Sequence, residues 1–283
     1  MNKSCKQLLI MLIVCSSGFF VFYVAPFIFS LPNIFIDSVT GEFAGISILK
    51  NLFGNELYIL SLKNTLFFII KILFFSTLIP LFLAIILKDM DKKKKNLFLT
   101  IFLIPMVVPT GSMIFFWENL FKINGFINNL LNIFKLPSID FFSNNSIQFT
   151  LTIIFLYRSI GFNTLIISYS LENIPKSYLE IARLETSNFS DVFFYVILPN
   201  ILPALAFVVL ISIINSFRIF REIYILFGAY PTDNAYMIQH FMNNMFSALD
   251  YSKLVAASFL MSVIFDIFTY IFLLFFKKYK DIM

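Results

Sequence analysis

The residues of this chain whose types could do chemistry are polar side chains that interrupt long apolar segments. They are Tyr157, Arg158 and Asn163 in one segment and Ser212, Asn215 and Ser216 in a later one. The second set has i, i+3 and i+4 spacing, so on a helix its members form one polar stripe. Polar groups are costly inside a membrane, so they mark either a path for a ligand or hydrogen bonds between helices. The spacing leaves both interpretations open.

Charged residues also lie within apolar segments, where an unpaired charge is expensive. Arg158 either contacts a ligand or pairs with an acid on a neighbouring helix. Asp266 has no partner nearby in the sequence, so it is either one member of an interhelical ion pair or a gate residue. Lys71 can extend its flexible stem so that the amine reaches the membrane interface.

Several catalytic chemistries lack their residues. His240 is the single histidine, so a His-Glu-x-x-His zinc site is impossible, and no Gly-x-Ser-x-Gly nucleophile motif occurs. None of the eight glycines begins a Gly-x-x-x-x-Gly-Lys-Ser/Thr loop, which would hold ATP phosphates. An intramembrane enzyme is therefore a weak alternative. We expect no catalytic residues, no metal and no bound cofactor in this chain.

A polar, helix-forming stretch follows the fourth apolar segment. Pro175 disfavours helix at the residue before it, so the preceding helix should end near Asn173. Ser177-x-x-Glu180 has the spacing of a capping box, in which each residue satisfies a backbone N–H of the other. These signals predict a short helix over residues 178–186.

A second short helix should follow directly. Asn188, with Asp191 three residues later, is a looser capping signal. An apolar face at helical spacing comes next, formed by Phe189, Val192, Phe193 and Val196. The pair of helices is either an amphipathic connector that rests on lipid or a docking surface.

Composition indicates an integral membrane protein. The 283 residues are 59% hydrophobic and 13% charged, with a mean hydropathy of +0.88, whereas soluble domains have about 25% charged residues. The apolar runs are continuous rather than alternating, which favours helices over membrane strands. Six segments approach the ~20 residues that a membrane-spanning helix needs. They are residues 8–31, 63–87, 97–118, 148–171, 201–226 and 253–276.

Lysines concentrate on one side of this arrangement. Lys3 and Lys6 precede the first segment, Lys92 to Lys95 follow the second, and further lysines follow the fourth and the sixth. The positive-inside rule then places both termini and the loop 172–200 in the cytoplasm. Because these lysines flank apolar segments, the net charge of +5 does not indicate a nucleic-acid partner.

The first segment is expected to remain as an uncleaved helix. Residues 8–31 exceed the ~7–15 residues of a signal-peptide core and lack a clear cleavage site. A lipoprotein site at Cys15 is disfavoured because Val14, rather than a small residue, precedes it. Cys5 and Cys15 suggest neither a disulfide framework nor a metal site.

The polar stretch resembles the cytoplasmic signature loop of binding-protein-dependent ABC importer permeases. That signature reads approximately Glu-Ala-Ala, three residues, Gly, and later Leu-Pro with a further Pro. Glu180 and Ala182 match its first and third positions, and Leu198, Pro199 and Pro203 keep the downstream spacing.

Three positions depart from this signature. Ile181 replaces an alanine, Glu185 stands where aspartate is usual, and Thr186 stands where glycine is usual. Glycine permits a tight turn with positive φ, which threonine adopts only at a cost. The turn must therefore be built differently here, or be supported by Ser187 and Asn188.

Other segments resemble the permease subunit of maltose, glycerol-phosphate and lactose importers, over roughly residues 60–275. They are Ile104-Pro105 to Pro109, Trp117-x-x-Leu120-Phe121, Gly125-x-x-Asn128-x-x-Leu131, Ser216-Phe217-x-x-Phe220-x-x-Ile223-Tyr224 and residues 228–250. In such a protein, Trp117 and Tyr157 would be candidates to stack on a sugar ring. Most of the 40 phenylalanines, by contrast, must face lipid or pack.

The resemblance implies an all-α type I ABC importer permease fold with six transmembrane helices. Residues 1–60 would hold the first helix and the first external loop, residues 61–275 the permease core, and residues 276–283 a cytoplasmic tail. The loop 172–200 would couple the core to an ATPase. The implied ATPase contacts are Tyr178, Leu179, Glu180, Ala182, Arg183, Leu184 and Glu185. The polar residues of the two apolar segments become candidates for the substrate pathway.

The resemblance also implies partners. They are a second permease subunit in a heterodimer, two ATPase subunits that use ATP, an extracytoplasmic solute-binding protein and the lipid of a bacterial plasma membrane. Two alternatives stay open: a permease for another solute such as phosphate, an amino acid or a metal, and a secondary transporter without an ATPase. The absence of an obvious internal repeat weakens the second alternative.

Overall fold

The computed structural model describes residues 11–14, 16–38, 40–186 and 188–280, without the side chains of residues 183, 271, 273 and 275–280. Lys3, Lys6, both cysteines, Ser187 and the last three residues lie outside the described residues. The helices are α1 Met11–Ile34, α2 Ser47–Phe53, α3 Glu56–Lys88, α4 Lys92–Val107, α5 Thr110–Phe121, α6 Phe126–Ile133, α7 Ile147–Glu172, α8 Lys176–Glu185, α9 Phe189–Phe227, α10 Ile238–Ser247 and α11 Tyr251–Lys280.

The predicted all-α class and membrane segments are confirmed. Helices α1, α3, α7 and α9, together with the Tyr251–Tyr270 part of α11, are each long and apolar enough to cross a membrane. Helix α4 and the Thr110–Ile133 arm, which is bent by 99° relative to it, meet the same criterion only as a pair, which is either a broken span or a re-entrant loop. In the described part of the chain, the extended backbone pairing is limited to one isolated bridge between Ile36 and Phe43.

The third predicted segment, 97–118, is not one straight helix. Helix α4 stops at Val107 because Val108 precedes a proline and adopts the extended conformation, with ψ of 130°. Pro109 is extended as well, with ψ of 139°, and α5 begins at the next residue. The sequence contains the signal for this break, and its consequence is that Thr110 turns away from the axis of α4.

The chain forms two compact units. One unit contains residues up to 59 together with residues 241–268, and the other contains residues 60–240 with the end of α11. In the first unit, Ser38 N–H donates to Ser252 Oγ at 2.6 Å, which joins the segment after α1 to the start of α11. Residues 241–268 pack with the first segment, and the core 61–275 stays a prediction.

Helices α4 and α7 of the second unit pack backbone against backbone. A Cβ placed on Gly161 of α7 would lie 1.9 Å from the carbonyl oxygen of Phe102 in α4. Real Cβ atoms never approach so closely, so this crossing requires glycine. The contact sets the separation of two helices that also carry polar residues of interest.

A buried apolar cluster of the second unit lies beneath the polar loop. Leu171 and Ile174 at the end of α7 pack in it with Ala182 of α8 and with Val192 and Ile201 of α9. The loop between α7 and α9 is thus held on the helices by its apolar residues rather than tethered at its ends alone.

Asn128 anchors the loop that follows α6. Its side chain is fully buried, accepts from Ile139 N–H at 2.8 Å and donates to the Ile139 carbonyl at 2.9 Å. This reciprocal pair gives the asparagine of the Gly125-x-x-Asn128 pattern a structural role, since it orders residues that would otherwise have unpaired backbone groups.

His240, in α10 outside the membrane spans, is buried between rings. Its Nδ1 accepts from the Met237 N–H at 3.3 Å, and the rings of Phe220 and Tyr236 lie 4.7 and 5.7 Å from the imidazole. Burial lowers the pKa of His240 to about 4, so the ring is neutral at pH 7. The residue belongs to the packing, and the described residues contain no group of three or more ligands that could hold a metal.

Candidate functional site

A cavity of about 150 Å³ lies between α4, α7 and α9 in the second unit. It is lined by Met106, Phe155, Arg158, Ser159, Phe162, Asn163, Asn215, Arg218, Ile219 and Glu222. Apolar walls with a few convergent polar groups are typical of small-molecule sites. The cavity brings together Arg158, Asn163 and Asn215, which the sequence identified from two separate segments.

Arg158 projects into this cavity as one member of an ion pair. Its Nη1 donates to Oε1 of Glu222 in α9 and, at 2.9 Å, to the hydroxyl of Thr110. The Glu222 side chain is only 4% exposed, whereas that of Arg158 is 31% exposed. Of the two interpretations of Arg158, pairing with an acid on a neighbouring helix is the one observed.

Glu222 keeps one free acceptor. Among the described buried atoms, its Oε2 has no hydrogen-bond partner, although the carboxylate lines the cavity. When one oxygen of a carboxylate is bonded to arginine and the other is free, the free oxygen can accept a hydrogen bond from a hydroxyl without moving. Arg218, which precedes Glu222 by about one helical turn, adds a second guanidinium to the lining.

Asn163 and Ser212 connect three helices beside the cavity. The Asn163 amide donates to the Ser76 carbonyl of α3 at 3.0 Å and to Ser212 Oγ of α9 at 3.2 Å. Ser216 is also buried, and its hydroxyl donates to the Ile213 carbonyl of its own helix at 2.6 Å. Of the polar stripe, Asn215 therefore lines the cavity, whereas both serines are used inside this chain.

Tyr157 and Trp117 lie outside the cavity lining. Trp117 is 3% exposed, and its ring is stacked on Phe121 at 5.6 Å and meets the edge of Tyr157 at 5.0 Å. Tyr157 is 41% exposed on the other side of α7. Neither ring is among the residues that line the cavity.

Lys71 is another charge within an apolar segment, and it does not line the cavity. Lys71 Nζ donates to Gln148 Oε1 at 2.7 Å and lies 4.7 Å above the Phe67 ring. It is thus held by a neighbouring helix rather than extended to the interface. Asp266 is exposed on the last span.

Sequence reasoning missed Glu222, Ser159 and Arg218. Glu222 had a signal, because it is an acid inside the segment 201–226 and intramembrane acids require a partner. The basic residue that pairs with Glu222 is set by the way α7 and α9 cross. The spacing of residues within either helix does not determine that crossing. Ser159 is the neighbour of Arg158, and nothing in the sequence distinguishes it from other serines.

The polar loop forms the first short helix that the sequence predicts, with a different start, whereas the predicted second short helix is the beginning of the long helix α9. Helix α7 ends at Glu172 with Asn173 as its C-cap, as expected. Helix α8 begins at Lys176 rather than 178, and its N-cap is Pro175, without a side-chain cap. The predicted capping box is therefore wrong: the helix begins directly after Pro175, so Ser177 already lies inside it and makes no cap.

The turn after α8 is built without glycine geometry. Thr186 is extended, with φ of −146°, so no positive φ is needed. Its Oγ1 donates to Asp191 Oδ2 at 3.1 Å and accepts from the Asn188 N–H at 3.1 Å. Asn188 caps the next helix as predicted, since its side chain accepts from the Ser190 N–H at 3.2 Å. One hydroxyl thus joins the two helices of the loop.

Helix α8 presents a strip of apolar side chains to the outside. Tyr178, Ile181 and Leu184 are 53%, 55% and 88% exposed, and Glu180 and Glu185 are exposed beside them. Ala182, by contrast, is buried and Leu179 half-buried in this chain's own core, and their role as ATPase contacts stays a prediction. The side chain of Arg183 lies outside the described residues.

A groove of about 390 Å³ continues this exposed strip. It is lined by Tyr178, Ile181, Ala182, Glu185, Tyr195, Val196, Pro199 and Asn200, from α8 and the start of α9. Exposed apolar groups of this density on a polar segment mark an interaction surface.

The sequence of residues 76–280 matches the family model described as binding-protein-dependent transport system inner membrane component. The chain belongs to this family.

Curated relatives of this permease transport several solutes. The arabinooligosaccharides transport system permease protein AraP of Bacillus subtilis is 30% identical over 216 residues, which cover 74% of this chain and 68% of the relative. The sn-glycerol-3-phosphate transport system permease protein UgpA of Pectobacterium atrosepticum is 25% identical over 190 residues, which cover 67% and 64%. The match to AraP of Halalkalibacterium halodurans, at 30% identity, spans 56% of that protein's length.

Solved structures show the same fold. A bacterial ABC transporter involved in the import of the acidic polysaccharide alginate has a chain that superposes with a TM-score of 0.84 at 18% identity. The superposition covers 98% of the permease and 96% of that chain. The same transporter type in complex with an alginate pentasaccharide-bound periplasmic protein gives a TM-score of 0.80 at 20% identity.

The hydroxyl of Thr186 is expected to stabilise the loop of this permease. Thr186→Val keeps the side-chain shape but removes both hydrogen bonds, each of which contributes about 1 kcal/mol. We expect faster amide hydrogen exchange at residues 186–192. Thr186→Ser is the control, because it retains the hydroxyl and should exchange like the wild type. Equal exchange in the valine variant would show that the turn does not depend on this hydroxyl.

Proposed function

We propose that this permease is the membrane subunit of an ABC importer for a sugar or sugar derivative. The single observation that carries the proposal is the exposed strip of α8, which lies beside a groove and on a loop held to the membrane helices by a buried cluster. Such a surface suits a partner that moves the loop. The chain has no phosphate-binding loop, so ATP-driven transport through it would use separate ATPase subunits.

The orientation follows from charge. The lysine run at the start of α4 and the polar loop lie at the same end of the second unit, because Lys95 contacts Glu172. By the positive-inside rule this end is cytoplasmic, as both termini would be, in a bacterial plasma membrane. The solute would arrive from the opposite side, delivered by an extracytoplasmic binding protein, and a second permease subunit would complete the pathway as a heterodimer.

The cavity supports a hydroxylated substrate. Glu222 Oε2 can accept from a hydroxyl, while Arg158, Arg218 and Asn215 can donate to or bind oxygens of the solute. The two relatives are named for arabinooligosaccharides and for sn-glycerol-3-phosphate, and both solutes are rich in oxygen atoms. We therefore place substrate contact at this cavity, with Tyr157, Ser212 and Ser216 outside it.

Glu180→Ala is expected to lower uptake and ATPase stimulation together. Glu180 is exposed on the partner-facing strip, so its carboxylate is available to a basic group of an ATPase subunit. Loss of one charge-assisted hydrogen bond should reduce solute uptake roughly tenfold in proteoliposomes that contain all subunits and the binding protein. ATP hydrolysis stimulated by the loaded binding protein should fall in parallel.

Asp89→Ala is the matched control, since Asp89 is an exposed acid in the loop between α3 and α4 at the same end. It should transport normally. Unchanged uptake and stimulation in Glu180→Ala would favour a lipid-resting connector. Ion-driven uptake by the wild-type chain without any ATPase subunit would establish a secondary transporter instead.

A further inference from the structure

Lys95 is the inward member of the lysine run that opens α4. The residue is 4% exposed, and its Nζ lies 2.7 Å from Oε1 of Glu172, the last residue of α7. The neighbouring Lys94 has a side chain that is 72% exposed and lies 3.8 Å from Asp91. The positive-inside rule explains exposed lysines at a membrane border, but it does not explain a lysine buried against one carboxylate.

Stability does not explain this pair either. The first turn of a helix carries partial positive charge, which disfavours a cation there. Burial adds a desolvation cost that a single ion pair often fails to offset, and apolar replacements of such pairs are frequently neutral or stabilising. An apolar residue at position 95 would therefore hold α4 in place equally well. What the ion pair adds is a directional connection between two helix ends.

Glu172 is the first residue of the polar loop 172–200, which is called the coupling loop below because the proposed function assigns it that role. Three residues, 173–175, separate it from α8, and Ile174 among them is buried in the same cluster as Ala182 of α8. A displacement of α8 therefore moves the short segment 173–175, which is anchored by Ile174, and with it the Glu172 carboxylate that binds Lys95.

The opposite end of α4 reaches the cavity. Met106 in its last turn lines the cavity, and Thr110 beyond the break contacts Arg158 at 2.9 Å. Between the two ends, the close approach of Gly161 to Phe102 keeps α4 against α7. Helix α4 thus runs without interruption from the coupling loop to the cavity.

We propose that Lys95 and Glu172 are positioning residues that pass movement of the coupling loop along α4 to the cavity. This inference rests on the proposed function. The ion pair fixes the last turn of α7 to the first turn of α4, so both helix ends follow α8 together. Neither residue touches the solute or the nucleotide, and the effect reaches the cavity through Met106 and Thr110.

The test compares Lys95→Met with the double variant Lys95→Met/Glu172→Met in the complete reconstituted transporter. Both variants should assemble with the ATPase subunits and match the wild-type melting temperature. Basal ATP hydrolysis should persist, whereas uptake and its stimulation by loaded binding protein should fall about tenfold, a typical size for coupling between sites. Lys95→Arg should retain uptake, and Lys94→Met is the matched control that should behave as wild type.

Normal stimulation and uptake in both methionine variants would overturn the inference. If Lys95→Met alone fails to assemble, the double variant decides, because it leaves neither a buried lysine nor an unpaired carboxylate. Uncoupled transport in the double variant supports the positioning role, and normal coupling contradicts it. A wild-type complex that lacks binding-protein stimulation would contradict the proposed function instead, so the two failures are distinguishable.

Discussion

Gly161→Ala is expected to prevent native packing of the permease. The added Cβ would lie 1.9 Å from the Phe102 carbonyl oxygen and 2.3 Å from its carbonyl carbon. Both are backbone atoms, so no rotamer change relieves the clash, and α4 and α7 must separate. Overpacking of this kind costs roughly 1–3 kcal/mol and sometimes more. We expect most of the folded, monodisperse protein to be lost in size-exclusion chromatography, and uptake to be lost with it.

Gly111→Ala is the matched control for this variant. Gly111 lies in α5, near the other end of α4, and a Cβ there meets no atom within 4 Å. It should therefore give wild-type yield and melting temperature. If Gly161→Ala gave the same yield as Gly111→Ala, the close helix crossing would not exist in the membrane.

Breaking the ion pair in the cavity is expected to have the second large effect. Arg158→Met leaves Glu222 with a side chain that is 4% exposed and no cation beside it. Removal of one partner of a buried pair costs about 3–5 kcal/mol. Glu222→Gln should cost less, because the Arg158 side chain is 31% exposed and can reach water. Melting temperatures of the purified complex should follow this order, and both variants should transport poorly.

The double variant Arg158→Met/Glu222→Met separates stability from transport. Apolar replacement of both charges should restore most of the melting temperature, but uptake should stay low because two of the charged groups that line the cavity are gone. Arg221→Met is the control, since Arg221 is exposed on the same helix. Full uptake by the double variant would show that the ion pair only stabilises the fold.

The membrane helices were predictable because their signal is local. Hydropathy over ~20 residues identifies a span wherever it lies in the chain, and the boundary at Asn173 followed from Pro175 alone. The break at Val108–Pro109 had the same kind of signal, because helix is disfavoured at the residue before a proline, although Ile104 before Pro105 stays helical. The start of α8 was misplaced because two local rules competed, and Pro175 determined the N-cap rather than Ser177.

The cavity was only half predictable. Arg158, Asn163 and Asn215 were identified because polar residues in apolar segments are rare. Which of these side chains bonds to other helices depends on the way α3, α7 and α9 cross. The Asn163 amide is bonded to Ser76 and Ser212, whereas Asn215 lines the cavity. Likewise, Lys95 could not be told from Lys92, Lys93 and Lys94 by sequence, because burial of one lysine in a run is set by the neighbouring helix.

The turn at Thr186 changes which residues of the loop evolve together. Where glycine forms this turn, a single backbone conformation is sufficient and the following residues are free to vary. Here the hydroxyl of Thr186 bonds to the side chain of Asp191, so the residue types at positions 186 and 191 constrain each other, whereas position 188 supplies only a backbone N–H. A chimaera that exchanges α8 between permeases should therefore carry residues 176–191 as a block, and statistical covariation within close homologues should link position 186 to position 191.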